Sequence, residues 1–301
     1  MPSNEPFPVP LQRLPDCVRL VLGIGTILAS LDRPGGKGRT IERLTSDEHV
    51  VHSSRPDNEL LLPPPMAAKN DRRVTTGFVW LEVVSVVWLY YSLLVVCIAV
   101  PPFAVQALGY QLNLRQGTAV TFGCTLVAEL TALGLLWLWT RRQALSWKDL
   151  GWRQPTTSAA LVLAIVVSLG YSAFTLLLPE VRQNALELSV FKLWGAAIGF
   201  VAAAIEEFYF RGFILTKLEL RGTNRALQVL VSGITFGIVH PGFGLWGMLM
   251  TFLLGIALAL IYLAGKRSLT GPILCHGLIN VVIEPWLLLY MIELYARMFA
   301  F

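Results

Sequence analysis

The chain has 301 residues, of which 55% are hydrophobic and only 14% are charged. Soluble domains carry about 25% charged residues, so this composition excludes an ordinary soluble domain and predicts a polytopic membrane protein. The formal net charge of +5 does not indicate a nucleic-acid partner. The basic residues gather in short loops beside apolar runs, where such residues set the orientation of a membrane protein.

Residues 1–75 differ in composition from the rest of the chain. They are rich in Pro, Ser, Arg and Asp and show no sustained hydrophobic periodicity, which predicts a mostly disordered polar arm. The segment that begins at Met66 resembles a natural start just before the first apolar run. We therefore expect residues 1–65 to be dispensable for activity and residues 76–301 to form a transmembrane bundle.

Apolar runs follow one another from Phe78 onward. Runs of about 20 residues match a bilayer core of about 30 Å, because a helix rises about 1.5 Å per residue. Since some of the runs are shorter, the pattern predicts an all-α, polytopic transmembrane helical bundle with seven or eight spans. The runs cover residues 78–100, 118–140, 158–178, 194–215, 226–240, 243–264, 270–284 and 286–300.

The charges of the loops predict how the bundle is oriented. One side of the bundle has few basic residues, namely Arg115, Arg182 and Lys192. The loops of the other side are strongly basic, so by the positive-inside rule these loops and the amino terminus should face the cytosol. Their basic residues are Lys69, Arg72, Arg73, Arg141, Arg142, Lys148, Arg153, Lys217, Arg221, Arg225, Lys266 and Arg267.

Two adjacent acids, Glu206 and Glu207, lie near the end of the fourth run, and Arg211 follows Glu207 by four residues. A charge inside the membrane costs about 2.5–3.5 kcal/mol even on a lenient insertion scale, and such residues are usually functional. At about 100° per residue, Glu207 and Arg211 stack on one helix face, whereas Glu206 points elsewhere. We therefore expect Arg211 to neutralise Glu207 and to leave Glu206 free for chemistry. A structural ion-pair cluster that locks helices together is the alternative.

The next polar residue of this half of the chain is His240. It follows Phe236 on the same helix face and precedes Pro241, where the helix should end. A lone histidine in an apolar run is often a satisfied core residue. Its position favours a function, because a helical hairpin that turns within residues 221–225 brings Glu206 and His240 to a similar depth.

A third polar pair, His276 and Asn280, follows Pro272 and lies on one helical face, four residues apart. By itself this pair could equally form hydrogen bonds that hold helices together. The two remaining histidines, His49 and His52, lie in the polar arm, where we expect them to be solvated. Glu129 lies deep in the second run with no motif around it. We expect it to be protonated or paired inside the bundle and assign it no catalytic role.

The three motifs, taken in order, resemble the CPBP family, the CAAX protease and bacteriocin-processing group also called ABI. These motifs are E-E-x-x-x-R, F-x-x-x-H and H-x-x-x-N, and the resemblance covers roughly residues 190–285, including the SLTGPILCH segment. It implies an intramembrane endopeptidase, similar to the type II CAAX prenyl endopeptidases, that trims prenylated proteins or processes peptides. The catalytic residues that the resemblance implies are Glu206, Glu207, His240, His276 and Asn280.

The chemistry of these residue types agrees with that implication. Peptide hydrolysis needs a base for water, donors for the oxyanion and an acid for the leaving amine. We expect Glu206, helped by His240, to activate water while His276 and Asn280 hold the substrate carbonyl.

Zinc held by Glu206, His240 and His276 is the metal alternative, since two histidines and a carboxylate form a known catalytic set. The sequence lacks H-E-x-x-H and asparagine is a poor zinc ligand. We therefore favour a glutamate-dependent site with no cofactor over a metalloprotease.

Two other classes of function fit part of the pattern. Intramembrane Glu, His and Asn residues could form a proton or cation path, although transporters often carry internal repeats that this sequence does not show. A non-catalytic scaffold or immunity factor could keep the same fold, although every expected polar residue is retained. As partners we expect a protein or peptide substrate, with a prenylated one as an option, and the lipid bilayer.

Overall fold

The computed structural model describes residues 79–109, 113–152, 154–185, 187–287 and 289. The described part of the chain forms helices and no strands, which confirms the all-α fold class. The predicted arm of residues 1–75, including the segment 1–65 that we expect to be dispensable, lies outside the described residues. The helices are α1 (Val79–Ala107), α2 (Leu114–Arg142), α3 (Ser158–Thr175), α4 (Pro179–Asn184), α5 (Val190–Glu207), α6 (Ile214–Leu220), α7 (Arg225–Ile238), α8 (Gly244–Ala264) and α9 (Thr270–Ile283).

Two shorter helical segments join these elements near the polar residues. A π-helical segment, Phe208–Phe213, connects α5 to α6 without a break. A 3₁₀ turn, Pro241–Phe243, connects α7 to α8.

Four of the described helices are long and apolar enough to cross a membrane, compared with the seven or eight spans that the apolar runs predict. They are Val79–Cys97, Arg115–Arg142, Ser158–Thr175 and Gly244–Ala264. The runs 226–240 and 270–284 give helices of only 14 residues. Such a helix is about 21 Å long and too short to cross the core of a bilayer by itself. The run 194–215 is divided among α5, the π segment and α6, and most of the run 286–300 lies beyond the described residues.

Polar contacts place the ends of the helices on two opposite sides of the bundle. On one side, the Lys217 ammonium pairs with Glu82 at 2.6 Å and donates to the amide oxygen of Gln143 at 2.8 Å. On the other side, Arg115 pairs with Glu187 at 3.6 Å. The first side contains loops that the charge pattern assigns to the same side of the bundle. The orientation of this side toward the cytosol stays a prediction.

Helices α7 and α8 approach each other closely through glycines. A Cβ atom on Gly237 would lie 2.9 Å from the Met248 carbonyl oxygen and 2.9 Å from Cβ of Phe252. A Cβ on Gly255 would lie 3.0 Å from Cα of Gly233. This close contact brings the backbone of α8 within reach of the polar residues at the end of α5.

We expect Gly237→Ala to lower the free energy of unfolding by about 1–3 kcal/mol, because the new methyl group meets backbone atoms that cannot move aside. Gly134→Ala is the matched control, since a Cβ there meets nothing within 4 Å and alanine favours a helix interior by about 0.5–1 kcal/mol. Unfolding of both variants in detergent mixtures measures the difference. Equal stability of the two variants would contradict the tight contact.

Candidate active site

Glu206 and Glu207 are the last two residues of α5, directly before the π segment. Short π segments inside α-helices occur frequently at functional sites. Glu207 is 0% exposed and Glu206 is 8% exposed. The two adjacent acids are therefore both inside the bundle, as their place in the fourth apolar run predicts. They differ in the side chains that contact them.

Arg211 binds Glu207, as the spacing of four residues predicts. Its Nη1 atom donates to Oε1 of Glu207 at 2.8 Å, and its Nη2 atom donates to the carbonyl oxygen of Gly255 at 3.1 Å. The guanidinium also lies 4.4 Å from the ring centroid of Phe236, a distance at which a cation is attracted to an aromatic face. The single buried arginine of this cluster is thus committed to Glu207, and it is not hydrogen-bonded to Glu206.

His276 contacts the same carboxylate from α9. Its Nδ1 atom lies 2.9 Å from Oε1 of Glu207, the oxygen that also accepts from Arg211. Because a carboxylate paired with arginine accepts hydrogen bonds, Nδ1 of His276 carries the proton and donates it. Glu207 therefore orients the imidazole and leaves its Nε2 atom for another partner.

His240 lies beyond the end of its helix, whereas the sequence placed it on a helix face with Phe236. Helix α7 ends at Ile238, and His240 has φ −111° and ψ 40°. The α conformation is disfavoured for a residue that precedes a proline, and Pro241 follows. The imidazole still reaches back, because its Nδ1 atom lies 2.7 Å from the Phe236 carbonyl oxygen.

The two elements of the helical hairpin bring His240 and Glu206 together. A carbonyl oxygen only accepts, so Nδ1 of His240 donates to Phe236 and Nε2 is the atom that faces the glutamate. Nε2 lies 4.0 Å from Oε2 of Glu206. This distance is too long for a direct hydrogen bond, but one water molecule can contact both atoms. Among the described residues, no group hydrogen-bonds Oε2 of Glu206.

Asn280 reaches α5 at a different point from the acids. Its Nδ2 atom donates to the carbonyl oxygen of Gly199 at 2.9 Å. A Cβ on Gly199 would lie 3.2 Å from Cβ of Asn280, so the two helices are in close contact there. In this arrangement the Asn280 amide joins α9 to α5 rather than pointing to Glu206.

Phe236 connects the polar residues through its ring. Its centroid lies 4.9 Å from that of His240 and 5.5 Å from that of His276. Phe210 meets the same ring edge-on at 5.2 Å. With the Arg211 guanidinium over it, this one buried ring contacts three of the side chains that carry the site, a role that the sequence motif alone did not show.

A third carboxyl group, to which the sequence gave no role, lies beside the site. Glu129 is 1% exposed and accepts a hydrogen bond from the Tyr90 hydroxyl at 2.6 Å. Helices α2 and α5 run in the same direction, since Trp194 donates to the Ala119 carbonyl at 3.3 Å and Tyr209 to the Ala132 carbonyl at 2.6 Å. Glu129 therefore lies level with the end of α5.

A sequence feature could have identified Glu129, because an acid within an apolar run is costly to bury and such residues are usually functional. The partner was not predictable, because Tyr90 and Glu129 are 39 residues apart in sequence and Tyr90 belongs to no motif.

We expect Tyr90→Phe to lower the free energy of unfolding by about 1–3 kcal/mol, because the buried Glu129 carboxyl loses its donor. The double variant Tyr90→Phe with Glu129→Leu should recover most of this loss, since it removes both partners. A double-mutant cycle measured by unfolding in detergent mixtures gives the coupling between the two side chains. A coupling near zero would contradict the buried hydrogen bond.

The zinc alternative requires Glu206, His240 and His276 to act as ligands of one ion. Among residues 79–109, 113–152, 154–185, 187–287 and 289, no three His, Cys, Asp or Glu side chains form a group that could hold an ion. Nδ1 of His240 donates to a backbone carbonyl and Nδ1 of His276 donates to Glu207. Metal-ligating histidines commonly make such a bond with one ring nitrogen and bind the ion with the other. These bonds therefore leave Nε2 of both rings able to bind zinc, and the metal alternative stays a prediction.

Comparison with known protein families gave a match to part of the chain. No match was found among the curated proteins or among the solved structures. The apolar helices and the family match together indicate an integral membrane protein. Residues 188–282 match the family described as Type II CAAX prenyl endopeptidase Rce1-like, so the resemblance seen in the three motifs is confirmed over that segment of the chain.

Proposed function

We propose that this protein is an intramembrane endopeptidase in which Glu206 activates the attacking water. One observation carries the proposal: three separate segments bring their polar side chains to one buried cluster. Nε2 of His240 lies 4.0 Å from Glu206 and Nδ1 of His276 lies 2.9 Å from Glu207. The match of residues 188–282 to the Rce1-like family supports the same reaction class.

In the first step, a water molecule between Glu206 and His240 gives a proton to the Glu206 carboxylate. The water oxygen forms a bond to the peptide carbonyl carbon, and the carbonyl oxygen becomes an oxyanion. Glu206 suits this role because the neighbouring cation, Arg211, is bound to Glu207 at 2.8 Å. A positioned general base of this kind contributes a rate factor of about 10²–10⁴.

Glu207 and His276 act on the oxyanion. The Glu207 carboxylate accepts a hydrogen bond from Nδ1–H of His276 and so stabilises the imidazolium form of that ring. In this form Nε2 also carries a proton, taken up from solvent before the substrate binds, and Nε2–H donates a hydrogen bond to the developing negative charge. Fixed donors aimed at such a charge are often the largest contribution to catalysis. The support for this division of labour is that Glu207 is already shared by Arg211 and His276.

In the second step, the carbon–nitrogen bond breaks and the leaving amine receives a proton. The proton that Glu206 took from water is returned to the amine nitrogen, either directly or through Nε2 of His240. The family resemblance also assigns Asn280 to the site. Its bond to the Gly199 carbonyl at 2.9 Å supports a part in holding α9 against α5, and thereby His276 against Glu207.

The proposed substrate is a protein or peptide whose scissile bond lies near the membrane, with a prenylated CAAX-type tail as one class and a processed peptide as the other. The basic loops on the proposed cytosolic side suit a substrate that enters from that leaflet. Elemental analysis for zinc and a chelator assay test the metalloprotease alternative.

The test is cleavage by the purified protein in liposomes. Two peptides of the same sequence are offered, one with a prenylated cysteine followed by three residues and one without the lipid, and the released fragment is identified by mass spectrometry. Cleavage of the prenylated peptide alone would place the substrate in the CAAX class, whereas cleavage of both would favour general peptide processing. If the protein cleaves neither peptide but carries ions across the same liposomes, a transport function replaces the protease proposal. If it is inactive in both assays, a scaffold or immunity role is favoured.

A further inference from the structure

The turn after α7 contains an aromatic residue that the proposed reaction does not use. Phe243 ends the 3₁₀ turn, and its ring stacks on the imidazole of His240 with centroids 5.6 Å apart and planes 27° apart. The Phe236 ring contacts the same imidazole at 4.9 Å in a tilted arrangement. His240 is therefore in contact with two aromatic rings, of which only Phe236 belongs to the sequence motif.

This contact matters because the backbone of His240 is no longer helical. Among the described residues, the imidazole makes one hydrogen bond within the cluster, from Nδ1 to the Phe236 carbonyl oxygen at 2.7 Å. One such bond fixes a ring atom but leaves the ring plane free to rotate about it. The Phe243 ring supplies the surface that restricts this rotation.

The backbone of this 3₁₀ turn holds Phe243 in place. Its N–H donates to the His240 carbonyl oxygen at 3.1 Å. The next residue, Gly244, has φ 66° and ψ 179°, a conformation that is essentially restricted to glycine. At this residue the chain turns into α8, which is held against α7 by the glycine contact at Gly237. The stacking geometry therefore follows from the turn.

We propose that Phe243 is a positioning residue for His240 in the reaction proposed above. It keeps Nε2 of His240 directed at Glu206, 4.0 Å away. When His240 holds a proton during the transfer to the leaving amine, the face of the Phe243 ring also stabilises the imidazolium by a cation–π interaction. The inference rests on the proposed function for its kinetic part, whereas the stacking can be measured without activity.

The kinetic test compares Phe243→Leu with Phe243→Tyr. We expect Phe243→Leu to lower kcat about tenfold with KM unchanged, because the ring acts on the chemical step and not on substrate binding. Phe243→Tyr keeps an aromatic face and should restore kcat to within about twofold. Phe174→Leu is the matched control, since Phe174 is 48% exposed on α3 and should leave kcat unchanged.

The spectroscopic test measures the stack itself by NMR of histidine-labelled protein in detergent. The His240 signal is the one that is missing from the spectrum of the His240→Gln protein, which keeps Phe243. We expect the ring-proton signal of His240 to move in Phe243→Leu, because the ring-current contribution of Phe243 is lost while that of Phe236 remains, and to stay near its wild-type position in Phe243→Tyr. A Phe243→Leu protein with the wild-type His240 signal overturns the proposal, whatever its kcat. If the wild-type protein cleaves no peptide, the proposed function fails, while the His240 signal still decides whether the Phe243 ring stacks on the imidazole.

Discussion

The Glu206→Gln protein is expected to hydrolyse its substrate about 10²–10⁴-fold more slowly than the wild type. Glutamine keeps the shape of the side chain and can accept a hydrogen bond, but the neutral amide cannot take a proton from water. The kcat of the purified variant in liposomes, followed by release of the carboxyl-terminal fragment, measures the effect.

The control for this variant is Glu219→Gln. Glu219 lies on α6, is half exposed and pairs with Arg267 at 3.0 Å, away from the buried cluster. Its neutralisation should leave kcat unchanged, since exposed ion pairs contribute at most about 1 kcal/mol. Wild-type turnover by a folded Glu206→Gln protein would show that another group is the base.

The largest effect on stability is expected for Arg211→Met, at about 3–5 kcal/mol of lost unfolding free energy. Arg211 and Glu207 both have side chains that are 0% exposed. Removal of the arginine therefore leaves a buried carboxylate whose other strong partner is His276. The substitution also removes the contact between the guanidinium and the Phe236 ring at 4.4 Å and the hydrogen bond to the Gly255 carbonyl at 3.1 Å. Unfolding in detergent mixtures measures the loss.

A double variant separates the charge effect from the packing effect. Arg211→Met combined with Glu207→Gln removes the unpaired charge, yet the glutamine oxygen can still accept from Nδ1 of His276. We expect the double variant to be more stable than Arg211→Met alone, because an uncompensated buried charge causes most of the loss. If the double variant is the less stable of the two, the ion pair is not the main contribution of Arg211.

The local parts of the site could be predicted because neighbouring residues on one helix have fixed geometry. The pairing of Glu207 with Arg211 follows from a spacing of four residues, and the structure has it at 2.8 Å. The similar depth of Glu206 and His240 follows from a hairpin whose turn lies midway between them. The choice of family also followed from ordered short motifs, and the match over residues 188–282 confirms it.

Contacts between distant segments could not be predicted in this way. The partner of Asn280 is a backbone carbonyl 81 residues away, and the partner of Glu129 is a tyrosine in the first described helix. Neither contact leaves a periodic pattern in the sequence, because each depends on how two helices are rotated and shifted against each other. The same is true of the His240 conformation, where the restriction before Pro241 ended the helix two residues earlier than the hydrophobic run suggested.

The sequence by itself determined the apolar, all-α character of the described part of the chain and the pairing of Glu207 with Arg211, four residues later. These properties depend on composition and on helical spacing, which are local. Only the tertiary structure decided that His276 shares the carboxylate that Arg211 binds, which nitrogen of His240 faces Glu206, and that the rings of Phe236 and Phe243 both contact His240. Those properties depend on the direction of each side chain, which is set when the glycine-lined helices pack against one another.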